Sequence, residues 1–425
     1  MYFKKMFISI CVLLVVIFVH INVNAENDEI SIYYEGHNLF SEAAIKRFEN
    51  IYPDVEVKEN VAEMQNFSDF FNNKEKLVND LLSGNSSDIM IVNRHTFDRL
   101  FDLIKEGVFY DLNEIITSDL VDLDKLNPVV YDGGMIYGKR YFIPLSYSLP
   151  IYISTREILE KNNISLSDFD YSQKELVEHF IDYLSKDSEN YINIYPDVWL
   201  EASGFYNISY DNYRIATPEE QLLRFIESVK KFSKLKYDNS SLPDDLQMSE
   251  MELLNNEIVL ADRLAGVYQD PRNILFLYNS IKSKTGQHMQ LLPLPMANDT
   301  AYISTPEDIV LVSVTAENKE SIANFISVLL SEEIQQYHIS NLPINKKAMD
   351  YNIDLAKNQS GEDEALHELL DGLKYITDNI KYCNINDQTL FRLLIGVYIN
   401  YRDGKISNKE FIEEVNFEIQ KYFME

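Results

Sequence analysis

Short apolar runs alternate with amphipathic segments along most of the chain after Asn27. Ile30 to Tyr34 and Ile89 to Val92 are two such runs, and their length is typical of strands. From Phe40 to Ile51, apolar residues instead recur every three or four positions, which predicts a helix that Pro53 ends. The alternation of strands and helices predicts an α/β fold with a largely parallel sheet.

The second half of the chain repeats this alternation with clear helix caps. The stretch 217–220 reads Thr-Pro-Glu-Glu, and Ser407 is followed three residues later by Glu410; both patterns predict helix starts. Ile309 to Val314 reads as a strand, and no low-complexity linker interrupts the pattern. If the chain forms two lobes, ordered strands must therefore join them.

The stretch 131–152, "YDGGMIYGKRYFIPLSYSLPIY", combines a predicted hairpin with a strand that Pro144 and Pro150 interrupt. Proline lacks the amide proton that a central strand needs, so this run should pair incompletely. We interpret it as a crossing between two bodies. An ordinary edge hairpin within one domain is the alternative.

The first 25 residues are typical of a secretory leader. Lys4 and Lys5 precede an apolar run that is shorter than the ~20 residues of a spanning helix. We predict cleavage after Ala25 and export to the extracellular space or the cell surface, with a retained anchor as the alternative. Ile10 precedes Cys11 inside the apolar run, which argues against a lipid-anchoring motif.

The composition disfavours anionic partners and leaves no pair of cysteines for an internal disulfide. The chain has 38 basic and 68 acidic side chains, a net charge of −30, which disfavours nucleic acids and anionic membrane surfaces as partners. With Cys11 in the leader, Cys383 is the one cysteine that would remain, so no internal disulfide can form.

Motifs for catalysis and for metal or cofactor binding are missing from the sequence. It contains no phosphate-binding loop, dinucleotide fingerprint or nucleophile elbow. The histidines are scattered and no Cys-x-x-Cys occurs, so we expect no metal site and no cofactor. Carboxylate pairs are too abundant for spacing to single out an acid and a base.

Six segments, in their order along the chain, resemble the family 1 extracellular solute-binding proteins, which are oligosaccharide-type receptors of ABC importers. The resemblance spans essentially all of the chain after the leader. The segments are "SEAAIKRFENIYPDVEVKE" (41–59), "KLVNDLLSGNSSDIMIVNRHTFDRLFDLIKEGVFYDLNEII" (76–116), the stretch 131–152, "LLPLPMANDTAYIS" (291–304), "ENKESIANFISVLLSEEIQQYHISNLPINKKAM" (317–349) and "YINYRDGKISNKEFIEEVNFEIQKYF" (398–423).

The resemblance implies two Rossmann-like α/β lobes joined by hinge strands, the type II periplasmic-binding-protein fold, with a ligand cleft between the lobes. It places one lobe at 26–143 with 293–334 and the other at 144–292 with 335–425. Crossings between the lobes are expected near Phe142 to Ser148, Gln290 to Pro293 and Ile334 to Leu342.

Ligands of such sheets bind beyond the carboxyl ends of the strands. A sugar site needs aromatic platforms surrounded by planar polar side chains. Residues of these two kinds at predicted strand ends and near the hinge are the candidate ligand-binding set: Tyr34, Glu35, His37, Asn93, Arg94, Tyr147, Trp199, Asp262, Arg263 and Tyr302.

Each candidate also has a structural alternative. Tyr34 ends a strand and could be buried, and Trp199 could equally pack in a core. Arg94 could pair with Asp98 one helical turn away. His37 could be an ordinary loop histidine, and Asp262 could lie on a lobe surface.

The resemblance therefore implies a non-catalytic, monomeric receptor that captures a small polar solute, such as a sugar or oligosaccharide, and delivers it to ABC permease subunits in the membrane. A secreted hydrolase acting on glycans is the principal alternative. A ligand-sensing partner of a membrane sensor kinase would use the same cleft.

Overall fold

The computed structural model of the 425-residue chain describes residues 28–63, 67–161, 192–193, 208–209, 213–232, 260–261, 269–293, 302–338, 340–383, 385 and 387–424. The predicted leader and three candidate site residues, Trp199, Asp262 and Arg263, lie outside these described residues.

The strands run throughout the described chain. They are β1 (Asp28–Glu35), β2 (Val55–Ala62), β3 (Ile89–Asn93), β4 (Met135–Ile136), β5 (Lys139–Arg140), β6 (Phe142–Pro144), β7 (Ser146–Ser148), β8 (Ile151–Thr155), β9 (Ile192–Asn193), β10 (Ile208–Ser209), β11 (Arg214–Ile215), β12 (Leu260–Ala261), β13 (Met289–Pro293), β14 (Tyr302–Pro306), β15 (Asp308–Val312), β16 (Leu342–Pro343) and β17 (Ile380–Cys383).

Helices separate many of these strands. They are α1 (Leu39–Ile51), α2 (Phe67–Ser83), α3 (Leu100–Lys105), α4 (Pro128–Asp132), α5 (Arg156–Lys161), α6 (Glu219–Phe232), α7 (Pro271–Thr285), α8 (Lys319–Leu329), α9 (Glu332–Gln335), α10 (Lys346–Ser360), α11 (Glu364–Asp378), α12 (Gln388–Arg402) and α13 (Asn408–Met424).

A five-stranded sheet in the order β2-β1-β3-β15-β6 forms the centre of the first lobe. Strands β1, β2 and β3 are parallel, and β15 runs antiparallel to its neighbours β3 and β6. The apolar strand predicted at Ile89 to Val92 is confirmed, and it is buried because it is central. Helix α1 covers this sheet with Phe48, whose ring contacts Phe325 of α8.

A second sheet, in the order β13-β8-β12-β9, belongs to the other lobe. Its strand β8 pairs antiparallel with β13 along five residues. Helices α7, α10 and α11 pack against one another, and α7 and α11 also pack against β13. This lobe therefore has a layer of helices on its own sheet, as an α/β lobe requires.

A third sheet, in the order β16-β7-β14-β17, is connected to both of these through the chain. The chain leaves the five-stranded sheet after β6 and enters the third sheet at β7, so Leu145 alone separates the two. The same change occurs between β14 and β15, where Glu307 is the single intervening residue. The proline-broken stretch is thus a change of sheets, inside the predicted segment Phe142 to Ser148.

The second crossing lies further along the chain than the resemblance implied. Gln290 to Pro293 pairs with β8 inside the second sheet. The strand that returns to the first lobe is β14, and it carries its own proline, Pro306. The third crossing falls between α9, which packs on α1, and β16, which pairs with β7.

Within the described ranges, no helix combines the length and the hydropathy that crossing a membrane requires.

Candidate functional site

The loops at the carboxyl ends of β1 and β3 are held together by Glu35. Its carboxylate accepts hydrogen bonds from the backbone N–H of Asn93 at 3.0 Å and from the hydroxyl of Thr96 at 2.6 Å. Burial raises the pKa of Glu35 above its usual range, and both hydrogen bonds oppose that rise. In this structure Glu35 fixes the positions of the two loops.

Arg94, the residue that follows β3, pairs with Glu307 between β14 and β15. The two side chains make a salt bridge from Nε of Arg94 to Oε2 of Glu307 at 3.2 Å. The backbone N–H of Arg94 also donates a hydrogen bond to the backbone carbonyl of Glu307 at 2.7 Å. The other oxygen of Glu307 accepts the hydroxyl of Ser148. One buried carboxylate therefore connects a loop of the first lobe to the strand that leads into the second.

The alternative pairing of Arg94 with Asp98 is wrong. Helix α3 begins only at Leu100, so residues 94 and 98 do not share a helix. Asp98 pairs instead with Lys74 of α2 at 2.7 Å.

Asp308 connects the first crossing to the second and reaches towards the third. Its carboxylate accepts a hydrogen bond from the hydroxyl of Ser146 at 2.6 Å. Its backbone N–H donates a hydrogen bond to that hydroxyl oxygen of Ser146 at 3.1 Å. The Oδ2 atom also lies 3.9 Å from Nδ1 of His338, in the third crossing. We refer to Arg94, Ser146, Ser148, Glu307, Asp308 and His338 together as the crossing network.

His338 is enclosed by both lobes. Its ring lies against Phe40 of α1 with the ring centroids 3.8 Å apart, and its carbonyl accepts a hydrogen bond from Arg272 of α7. Burial lowers the pKa of His338 to about 4; the neighbouring Arg272 acts in the same direction, and Asp308 opposes it. The imidazole is therefore neutral at pH 7, which avoids placing an uncompensated charge inside the protein.

The predicted aromatic platforms differ in their surroundings. Tyr34 is 1% exposed and donates its hydroxyl to Glu59, and Tyr147 is 2% exposed. Burial of these two rings favours the packing alternative for both. Tyr302 is half-buried, and its ring meets the edge of exposed Tyr375 with centroids 6.3 Å apart.

The predicted polar residues are brought together only in part. Glu35, Asn93 and Arg94 are neighbours at the carboxyl ends of β1 and β3, as expected. His37 lies in the same loop region, but its side chain is 71% exposed and pairs with Glu42 of α1.

Sequence reasoning missed Glu307, Asp308 and His338. A signal for the first two was available, because Pro306 interrupts a β-rich run just as Pro144 does. Each of the three crossing regions carries such a proline, the third being Pro343 in β16. Polar residues next to prolines in β-rich runs therefore mark the crossing regions in this sequence.

The described residues contain no group of three His, Cys, Asp or Glu side chains that could hold a metal ion. Glu307 and Asp308 are both engaged in hydrogen bonds that tie strands together.

Residues 36–167 match the sequence model of the bacterial extracellular solute-binding protein family. Three members of the crossing network, Arg94, Ser146 and Ser148, fall inside this match. No curated protein matches the chain in sequence.

Several solved structures share the fold along nearly all of the chain. A periplasmic oligogalacturonide-binding protein from Yersinia enterocolitica is similar with a TM-score of 0.64 and 15% identity, over 93% of this chain and 100% of its own. An ABC substrate-binding protein from Listeria monocytogenes, solved with cycloalternan, has a TM-score of 0.58 and 17% identity over 92% and 98%. The GacH receptor of Streptomyces glaucescens, solved with acarbose, has a TM-score of 0.59 and 15% identity over 94% and 100%.

The whole-chain similarity shows that the fold is that of the type II periplasmic binding proteins, with two α/β lobes joined by crossing strands. Together, the sequence match and the shared fold confirm the resemblance to the bacterial extracellular solute-binding proteins.

Proposed function

We propose that this chain is a receptor that captures a small polar solute between its lobes and delivers it to the membrane subunits of an ABC importer. The observation that carries the proposal is the crossing network. Polar groups from all three crossings meet there, beside the loops at the carboxyl ends of β1 and β3. Ser146, Ser148, Glu307 and His338 are buried, and Asp308 is partly exposed. A joint of this kind lets a ligand that contacts both lobes favour the closed state by its differential affinity.

The geometry of the crossings supports a hinge. Strands β6 and β7 have three residues each, and single residues, Leu145 and Glu307, separate strands that belong to different sheets. Hinges of this type place large backbone changes in a few residues at the ends of elements. The hydrogen bonds of Glu307 and Asp308 would keep the strands aligned during closure.

A sugar or oligosaccharide is the solute class that the chemistry supports best. Asn93 and Arg94 carry planar polar groups at the end of β3, and half-buried Tyr302 carries an aromatic ring at the start of β14. Trp199, Asp262 and Arg263 remain the proposed contributions of the second lobe. Similar proteins bind an oligogalacturonide, cycloalternan and acarbose, which agrees with this class.

The proposal includes export and the absence of catalysis. The leader at residues 1–25 would be cleaved after Ala25, and the protein would act as a monomer outside the cell or at its surface. Such a receptor returns its ligand chemically unchanged. The rival hydrolase would instead convert a glycan into shorter products.

A thermal-shift screen against sugars, oligosaccharides, peptides, polyamines and organic anions tests the proposal. A ligand at 100 times its dissociation constant stabilises the folded state by about 2.7 kcal/mol, a readily measured rise in Tm. We expect a saccharide to produce this rise and chromatography to recover it unchanged. A rise with peptides alone would contradict the solute class, and shortened glycan products would favour the hydrolase.

The site is tested with two aromatic substitutions. Trp199→Ala should remove the saccharide-induced rise in Tm while the ligand-free Tm stays within a few degrees. Phe417→Ala is the matched control, because Phe417 is an exposed ring on α13. Retention of the full ligand effect in Trp199→Ala would remove Trp199 from the site.

A further inference from the structure

Two tyrosines with an unusual backbone conformation contact each other across a long separation in sequence. Tyr137 and Tyr213 have φ angles of +55° and +52°, and they are the non-glycine residues with positive φ in the described part of the chain. Their ring centroids are 6.2 Å apart at an interplanar angle of 74°. Two energetically costly conformations thus occur at one contact.

The contact continues into a series of aromatic rings. Tyr213 stacks on Phe423 of α13 with centroids 5.3 Å apart and an angle of 17°. Phe423 in turn meets the ring of Phe101 of α3 edge-on at 5.3 Å. Lys105, also on α3, donates to the carbonyl of Tyr422 at 3.1 Å and lies 6.0 Å from the centre of the Phe423 ring.

These rings join chain segments from the two sides of the first crossing. Phe101 and Tyr137 precede the first crossing. Tyr213 lies between the first and second crossings, and Phe423 follows the third. None of the four belongs to the strands that cross between sheets. The series is therefore a connection between the lobes that is separate from the crossing network.

The positive φ angles of Tyr137 and Tyr213 indicate that contacts of their rings stabilise the folded structure. Residue 137 lies in the two-residue turn between β4 and β5, followed by Gly138 with φ of +74°. Glycine would adopt the conformation of residue 137 without the steric cost that Tyr pays. A tyrosine there persists only when its side-chain contacts offset that cost.

We propose that Tyr137, Tyr213, Phe423 and Phe101 form an aromatic clasp, a non-covalent connection that holds the two lobes at a defined separation when no ligand is bound. Loss of the clasp frees the lobes to sample a wider range of separations. The effect of the clasp on ligand affinity rests on the proposed function, but its effect on lobe separation does not.

Spin labels on the two lobes test the clasp without any ligand. Asn50→Cys on α1 and Ser283→Cys on α7 place the labels at exposed positions, in the full chain with Cys11→Ser. Native Cys383, which is half-buried, is replaced by Ser so that it takes no label. Pulsed electron–electron double resonance spectroscopy then gives the distribution of distances between the two labels, and so between the lobes.

Tyr137→Gly and Tyr213→Gly are the test variants, because each deletes a ring and relieves a positive-φ residue at the same time. We expect a broader distance distribution in both variants and an unchanged one in the control Phe417→Ala on α13. Superimposable distributions for the parent chain and both glycine variants, with circular dichroism showing that they are folded, would overturn the proposal. If one glycine variant does not fold, the other decides.

Once a ligand is known, the clasp variants should change its dissociation constant by about fivefold or more, the lower range of typical coupling between sites. An unchanged affinity together with a broadened distribution would contradict that coupling and leave the structural clasp intact. Absence of any ligand in the screen would count against the proposed function alone.

Discussion

Acidification from pH 7 to pH 5 should destabilise the chain by about 2 kcal/mol through His338 alone. The imidazole is buried between the lobes against Phe40, and burial lowers its pKa from 6.5 to about 4. The unfolded chain therefore binds a proton at His338 in a pH range where the folded chain does not. Stability is lost as the pH falls through this range, and the loss is complete below pH 4.

The magnitude follows from the two pKa values. A difference of 2.5 pH units between 6.5 and about 4 corresponds to about 3 kcal/mol in total. About 2 kcal/mol of this falls between pH 7 and pH 5, since the folded form remains largely neutral at pH 5. The groups facing the ring are the Asp308 carboxylate and Arg272, which act on its pKa in opposite directions.

Urea denaturation of three chains at pH 7 and pH 5 measures the effect. His338→Phe keeps a ring against Phe40 but cannot bind a proton, and His338→Gln lacks both the ring and the titration. Other groups also respond to pH: burial raises the pKa of Glu35 and Glu307, so protonation of these carboxyls stabilises the folded state as the pH falls. Subtraction of a variant's pH effect from that of the parent chain cancels these contributions.

The parent chain should lose about 2 kcal/mol more than either variant between the two pH values. Both variants should give the same difference, although their absolute stabilities will differ. Equal pH effects in all three chains would refute the reasoning, because they would show that His338 titrates alike in the folded and unfolded states.

Three further predictions concern stability at pH 7, each measured by urea denaturation. Glu307→Gln should cost about 3–5 kcal/mol, because it breaks the buried ion pair with Arg94. The ion pair of Glu333 with Arg47 is exposed, so the control Glu333→Gln should cost less than about 1 kcal/mol. Similar losses in the two variants would count against the buried pair. Tyr34→Phe should cost about 1 kcal/mol through the lost hydroxyl contact and leave saccharide binding intact; lost binding would return Tyr34 to the ligand site. Asn38→Ala removes the side-chain cap of α1 and should cost about 1 kcal/mol, so a neutral result would show that the cap is dispensable.

Features encoded by neighbouring residues were predictable from the sequence. Helix α1 and strand β3 appear where apolar periodicity placed them, since burial of one face decides such elements. The capping box at Ser407 and Glu410 is confirmed: the Ser407 N–H donates to the Glu410 carboxylate at 2.7 Å, and its hydroxyl accepts the Glu410 N–H at 3.3 Å. All the atoms of this motif lie within four residues.

Contacts between distant segments were not predictable from the sequence. Asp98 was the local pairing alternative for Arg94, but Arg94 pairs with Glu307, which is 213 residues away. The second crossing was placed one strand early, because the resemblance gave only its approximate place along the chain, near Gln290 to Pro293. The pairing of β13 with β8 places that segment inside the second sheet.

Small-angle X-ray scattering of the chain, with and without a saturating saccharide from the thermal-shift screen, tests the central claim most directly. The proposed receptor should show a smaller radius of gyration in the presence of the saccharide, and the sugar should be recovered intact. An unchanged radius of gyration at saturation would contradict the account, because the ligand would then bind without drawing the two lobes together.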